Sequence, residues 1–299
     1  MKILYNDSDI SKSFKVTRCE HDCYVEGKAD SLVIKFYDPK GLWNKWKPEE
    51  GDKVKVIQGN SSTGEMYVNE IVPESDCIIF RASSIRKSTM LPRQKSWEHV
   101  YFKQICKEIA DRNGMEARYY GINDCLYKWL TQENENDFSF LNKLCVREGY
   151  SFVVFDGNIH VFSYDYLYGQ NALVKITAAP NSGFRIKETI KYGSCSVTNG
   201  MVAGSYTEDD KLPKLSRIIE APIQGTAEAN RYAKAALIEV NKNYKTGSFK
   251  EVTRCLTNIS AGSVIELADS FNRYAGKVFI NHIRNDYVNI NTKVWFREV

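Results

Sequence analysis

Apolar and polar side chains alternate through the first third of the chain. In "CYVEGKADSLVIKFYD", Leu32, Ile34 and Phe36 share one face while Val33, Lys35 and Tyr37 share the other, the period of a strand in a sheet with one buried side. "PKGLWNKWKPEEGDKVKVIQG" then gives a loop punctuated by Pro39, Gly41, Pro48 and Gly51. A second alternating run follows, with Val54, Val56 and Gln58 opposed to Lys53, Lys55 and Ile57. "EMYVNEIVPES" and "CIIFRASSI" read as further strands. Four or five short strands with no helix between them predict a small antiparallel barrel or sandwich.

Beyond Ser83 the period changes. Ser83 to Ser96 reads as a polar, basic linker, with Ser96 capping a helix that starts near Trp97. Trp97, Tyr101, Ile105 and Ile109 recur every four residues, and Asn113-Gly114 closes that helix. In "QENENDFSFLNKLCVREGYSFVVFDGNIHVF", Asn136 or Asp137 caps a second helix, whose stripe is Phe138, Leu141, Leu144 and Cys145, and Gly149 stops it. A hairpin from Tyr150 to Phe162 follows, turning at Asp156-Gly157-Asn158.

Strands return around "GFRIKETIKYGSCSVTNGMVAGSY". An acidic, proline-containing loop leads into a helix over 226–244, with Tyr232, Ala233, Ala236, Leu237 and Val240 as its buried face and Gly247 after it. "SVIELADSF", "GKVFINHIRND" and "YVNINTKVWFREV" complete the chain as strands, with turns at Gly262, Asn272 and Asn285. The order is therefore mainly β with an α+β middle: a β domain over 1–88, an α+β domain over 89–182, and a second β domain over 183–299 with a helical insertion at about 208–249.

A chain of 299 residues is long enough for two or three domains with their own cores. No apolar run approaches the ~18 residues of a membrane-spanning helix, and Met1-Lys2-Ile3-Leu4-Tyr5-Asn6 lacks the features of a secretory signal. The expectation is assembly in the cytoplasm, no membrane partner and release by lysis. The 41 basic residues against 37 acidic ones are spread along the chain, a balance that selects no specific nucleic-acid partner. Eight scattered cysteines read as packed thiols of a reducing compartment.

Candidate chemistry is sparse. Cys19, His21 and Cys23 of "CEHDC" would share one strand face and are all metal-ligand types. Alternating positions of one strand spread too far to close a tetrahedron unaided, however, and no further ligand is signalled, so the reading is a packed strand without metal. Cys106 and Cys145 fall on apolar helical faces, Cys125 has no neighbouring histidine, and His160 lies in a hairpin; no catalytic residue is assigned. There is no phosphate loop, G-x-S-x-G or H-E-x-x-H, and no cofactor is expected. Glu133, Glu135 and Asp137 could supply the acid pair of a glycoside hydrolase, of a cell-wall polymer for example, though acids before a helix first serve as a cap and a solvated surface. Arg81, Arg86, Lys87, Arg93 and Lys95 read as a solvated linker. Trp43 and Trp46, in a loop with Lys45 and Lys47, either fold back on the β domain or meet another chain; the four are taken as a candidate protein interface.

These segments, in this order, resemble the baseplate hub proteins of contractile phage tails, the late-control-protein-D-like family. The resemblance rests on "GKADSLVIKFYDPKGLWNKWKPEEGDKVKV", on "RKSTMLPRQKSWEHVYFKQICKEIADRNGM", and on "EANRYAKAALIEVNKN" with the closing "LTNISAGSVIELADSFNRYAGKVFINHIRNDY". It rests most on the pattern Q-x-x-E-x-D-x-x-F-L-x-x-L-x-x-x-x-G, carried by Gln132, Glu135, Asp137, Phe140, Leu141, Leu144 and Gly149 and followed by the Asp156-Gly157 turn. The resemblance implies two tail-tube-like β-barrel domains joined by an α+β domain. It implies no enzyme, but a structural homotrimer that adapts a six-fold tail tube to a three-fold central spike. Implied partners are the tube protein, the spike, baseplate wedge proteins and the tape-measure protein, in a phage or in a tail-like particle such as a bacteriocin. With Val299 as the last residue, the spike and any cell-wall hydrolase are expected to be separate proteins.

Overall fold

The computed structural model describes residues 1–220, 222–271 and 273–299. Alternation drives the first lobe. Leu32, Ile34 and Phe36 of strand Ser31–Tyr37 and Val54 and Val56 of strand Lys53–Gln58 are buried, joined by Ile3, Met66, Val68 and Phe80 in one core. The lobe holds eight strands before residue 84 and one helical turn, Trp43–Trp46, where fewer strands and no helix were expected.

The lobe does not stand alone. One 14-stranded sheet runs from Arg185–Glu188 through Lys245–Glu251, Asn291–Glu298 and Ala275–Asp286 directly into Lys15–Tyr24, then through Ser31–Tyr37, Cys77–Ser83, Met66–Pro73, Lys53–Gln58 and Lys2–Tyr5 to Ser8–Asp9. The central step pairs Ala275–Asp286 antiparallel with Lys15–Tyr24, in register from His282↔Tyr24 to Asp286↔Glu20. The strand path does not close on itself among the described residues. The two β regions thus keep separate cores, the second built on Phe249, Ile265, Val278, Ile280, Val294 and Phe296, but share one ladder of backbone hydrogen bonds.

The middle of the chain packs two helices, Phe102–Arg112 and Asp137–Glu148, against a two-stranded ribbon and a three-stranded sheet. Asn136 caps the second helix by accepting the Ser139 N–H at 2.8 Å, and Gly149 ends it at φ 73°. The hairpin Tyr150–Phe155/Asn158–Ser163 turns through Asp156 (φ 48°) and Gly157 (φ 75°), the paired left-handed conformations of a type I′ turn.

Several expectations are corrected. Ser96 and Trp97 do not open a helix. They lie in strand Arg93–Tyr101, the helix starts at Phe102, and the Gln104 side chain reaches back to accept the Tyr101 N–H at 2.9 Å. The strand's partner, Leu126–Glu135, was not foreseen at all. The supposed linker after Ser83 holds a 3-10 turn, Lys87–Met90, before that strand begins. The late helix ends at Asn241, Ala236 and Val240 are only half-buried, and Gly247 belongs to strand Lys245–Glu251. Its subdomain begins earlier than expected: strands Ser194–Thr198, Ala203–Thr207 and Lys214–Ile218 form a separate sheet on which helix Thr226–Asn241 packs through Ala229, Tyr232, Ala233 and Leu237. Asn285 is buried inside a strand rather than at a turn, while the chain does bend at Gly262 (φ 94°). The turn expected at Asn272 lies outside the described residues.

Candidate assembly surface and the seam between the lobes

The tryptophan loop is shaped by one carboxylate. Asp38 accepts the backbone N–H groups of Leu42 at 2.7 Å and Trp43 at 3.0 Å, which draws the chain into the turn Trp43–Trp46; Lys47, at φ 47°, then ends it in the left-handed region. The turn sends its two indoles in different directions. Trp43 is 1% exposed, stacked on Phe14 at 4.5 Å and edge-on to Tyr5 at 5.1 Å and Phe80 at 4.7 Å. Trp46 covers Phe14 and Trp43 with one edge but is 43% exposed.

Trp43 is therefore a core residue and not a contact for another chain, because the first lobe's aromatic cluster already encloses it. Trp46, Lys45 and Lys47 remain at the surface, and neither lysine pairs with a carboxylate among the described residues. The longer basic stretch differs. Arg81 pairs with Glu70 (3.1 Å), Lys87 with Glu50 (2.8 Å), Arg93 with Asp137 (3.5 Å) and Lys95 with Glu108, while Arg86 lies over the Tyr67 ring. Its charge is largely neutralised within the fold, as a nucleic-acid-binding face would not be.

The acids of the Q-x-x-E-x-D pattern are bracing groups. Asp137, 1% exposed at the start of its helix, meets Arg112 Nη2 at 3.2 Å and accepts hydrogen bonds from Gln132 Nε2 at 3.1 Å and Asn113 Nδ2 at 3.1 Å. Gln132 also donates to the Glu135 carbonyl at 2.9 Å, across a bulge where Asn134 takes φ 48°. Glu135 pairs with Lys143 at 2.7 Å. Gln132 and Asp137 of the signature thus tie the ribbon to both middle helices, and Phe140, Leu141 and Leu144 fill the core beneath. Of the acids that glycoside hydrolysis would draw on, Asp137 is sealed and Glu135 is paired with Lys143, while Glu133 and Glu135 line a cleft of about 410 Å³ together with Glu228.

Charged residues the sequence reading passed over hold the lobes together. At the seam Asp22 lies 2.6 Å from His282 Nε2 and accepts from Arg284 Nε at 2.8 Å, and the His282 ring is stacked between Tyr24 (4.2 Å) and Trp295 (4.0 Å). Burial pushes the Asp22 carboxyl up, but these two hydrogen bonds outweigh it and hold the group below its ordinary value. Glu26 meets Arg297, Lys242 (at 2.8 Å) and the Tyr164 hydroxyl, joining the first lobe to the last strand, the late helix region and the middle domain. Its burial opposes ionisation, yet Arg297 and then Lys242 bring it down to about 2. Glu148, with a fully buried carboxylate, binds Arg231 at 2.5 Å and the Tyr127 hydroxyl at 2.7 Å, fixing the middle domain to the late helix. Only long-range pairing creates these groups, so no local pattern announced them.

No family model matches this sequence, and no curated protein matches it either. Solved structures do share its fold. The 43 kDa tail protein of prophage MuSo2 from Shewanella oneidensis superposes with a TM-score of 0.75 at 11% identity, covering 99% of this chain and 97% of that one. The tail protein from Neisseria meningitidis MC58 gives 0.74 at 12% identity, covering 99% and 95%. The Escherichia coli c3393 protein, a component of the type VI secretion system described as structurally similar to T4 bacteriophage tail proteins gp27 and gp5, gives 0.66 at 10% identity over 100% of this chain and 77% of that one. The chain is thus similar in fold, from end to end, to tail proteins.

Proposed function

We propose that this chain is the structural hub of a contractile tail baseplate or of a tail-like injection particle. In this reading three copies join the six-fold tail tube to the three-fold central spike, and the two β lobes act as tube-like modules. The observation that carries it is the end-to-end match of fold to two tail proteins, which leaves almost nothing of either chain uncovered. The physical design is in keeping with the role. A continuous sheet and the ion-pair clusters at Asp22 and Glu26 stiffen the lobes against one another, and Glu148 with Arg231 ties the middle domain to the late helix, as a load-bearing adaptor requires.

Trp46, Lys45 and Lys47 are assigned to contacts with a neighbouring tube, wedge or hub chain, supported from below by Trp43. Partial exposure of a rigid indole beside two unpaired ammonium groups is the kind of anchor that protein interfaces use. The mechanism is mechanical and calls for no reactive group.

The test is imaging of particles purified from a producing cell by electron microscopy, with the chain located in the reconstructed map. Three copies between tube and spike are expected. Particles that assemble normally when the chain is deleted would overturn the assignment.

A further inference from the structure

Asp30 is a buried carboxylate, 7% exposed, that no lysine or arginine pairs among the described residues. It stands at the start of strand Ser31–Tyr37, against His21 and Cys23 of the neighbouring strand Lys15–Tyr24. The ligand atoms of these three residues lie within 4.8 Å of one another. Buried charges are paired or bind metals, and a buried carboxylate with neither must hold its proton.

We propose that His21, Cys23 and Asp30 form a zinc-class metal site beside the seam between the two β lobes. The proposal is independent of the hub assignment.

The spacing fits the cation. Zinc bonds of about 2.1 Å to nitrogen and 2.3 Å to sulfur at a tetrahedral angle place the two donors about 3.6 Å apart. Cys23 Sγ lies 3.4 Å from His21 Nε2 and 3.5 Å from Nδ1, so it stands beside the ring, in line with neither lone pair. Closing the site takes a rotation of the imidazole that aims Nε2 at the shared ion, together with an approach of the most distant donor by about 1 Å.

The supporting contacts also fit. The Tyr287 hydroxyl lies 3.4 Å from His21 Nδ1 and 3.3 Å from Ser61 Oγ, an outer partner that leaves Nε2 for the metal. One Asp30 oxygen accepts the Tyr24 N–H at 2.8 Å, which leaves the other for the ion.

Cys23 and Asp30 line a cavity of about 710 Å³, which gives a path for entry and room for water as a fourth ligand. The donors are one sulfur, one nitrogen and one oxygen, a set suited to zinc rather than calcium or magnesium. Because Cys23 and His21 sit opposite Ile283 and Asn285 of the second lobe, a bound ion would fasten the strands at the seam. Sequence reading had the histidine and the thiol but not the carboxylate, which comes from the next strand.

The experiment uses the full chain, stripped with chelator and titrated with Co2+ alone. The expected result is one equivalent bound, with a thiolate-to-cobalt charge-transfer band and intense tetrahedral visible bands, both removed by one equivalent of Zn2+. Cys23→Ser should abolish the charge-transfer band, Asp30→Asn should weaken binding more than about tenfold, and Cys77→Ser should change neither. Zinc should raise the Tm of the parent and leave that of Cys23→Ser unmoved; if that variant fails to fold, Asp30→Asn and the parent spectrum decide. A parent that binds no cobalt, or a Cys23→Ser or Asp30→Asn protein that binds it as the parent does, overturns the site.

Discussion

Truncating the two tryptophans of the Trp43–Trp46 turn one at a time separates core from surface in a single experiment. Trp43 is 1% exposed and, besides Trp46, meets four aromatic rings of its lobe, Tyr5, Phe14, Phe36 and Phe80. A buried indole removes ~150–250 Å² from water, worth ~4–6 kcal/mol at ~25 cal/mol per Å², and Trp→Ala changes in cores cost ~3–5 kcal/mol. Trp43→Ala should therefore destabilise the protein by about 4 kcal/mol. Trp46 keeps 43% of its surface in water, so Trp46→Ala should lose less, about 2–3 kcal/mol. The two rings lie 5.3 Å apart, so the double variant should depart from the sum. Urea unfolding followed by far-ultraviolet circular dichroism is the suitable assay, since tryptophan emission changes with the substitution itself. A Trp43→Ala protein that unfolds at the parent's urea midpoint, or a Trp46→Ala protein that is the less stable of the two, would refute the division.

Acid should loosen the lobes through Glu26. Its carboxyl falls from the ordinary 4.5 to about 2 in the folded protein, so the unfolded chain takes up the proton first. The stabilisation is fully present above pH ~4.5 and is lost as pH falls toward ~2, a loss on the order of 3 kcal/mol for a shift of this size. Glu26→Gln should be less stable at neutral pH and should flatten that part of the profile, as thermal unfolding between pH 6 and pH 2 would register; an unchanged profile would remove Glu26 as its source. Asp137→Asn should cost about 3 kcal/mol by leaving Arg112 beside a neutral group, while Glu135→Gln, changing a surface ion pair, should cost less than about 1 kcal/mol. Neither the parent nor these variants should release peptidoglycan fragments, and release by the parent that disappears with Glu135→Gln would restore the hydrolase reading.

How far the sequence could be read depended on whether a pattern was local. Leu32, Ile34 and Phe36 alternate because their strand has one buried face, and Asn136 and Gly149 mark a helix by chemistry that lies within the helix ends. The strand Arg93–Tyr101 misled for a physical reason. His99 takes φ 46°, which breaks the two-residue alternation, so Trp97 and Val100 are both buried at a spacing of three. That spacing imitates a helix, and Ile105 and Ile109 beyond it prolong the imitation; the 44% exposure of Tyr101 shows that no single stripe runs through. The seam was beyond reach because Asp22 meets Arg284 across most of the chain, and nothing near either residue encodes the other. Trp43 and Trp46 show the same limit at short range: their adjacency was plain, but which indole turns inward is set by Asp38 and the rings already waiting in the core.

The central claim is that this chain works as a three-fold adaptor, and the most direct test is its mass in solution by light scattering, alone and mixed with the spike protein of the same particle. The account predicts a trimer, either in the free protein or on adding the spike. A chain that stays monomeric in both conditions would contradict it.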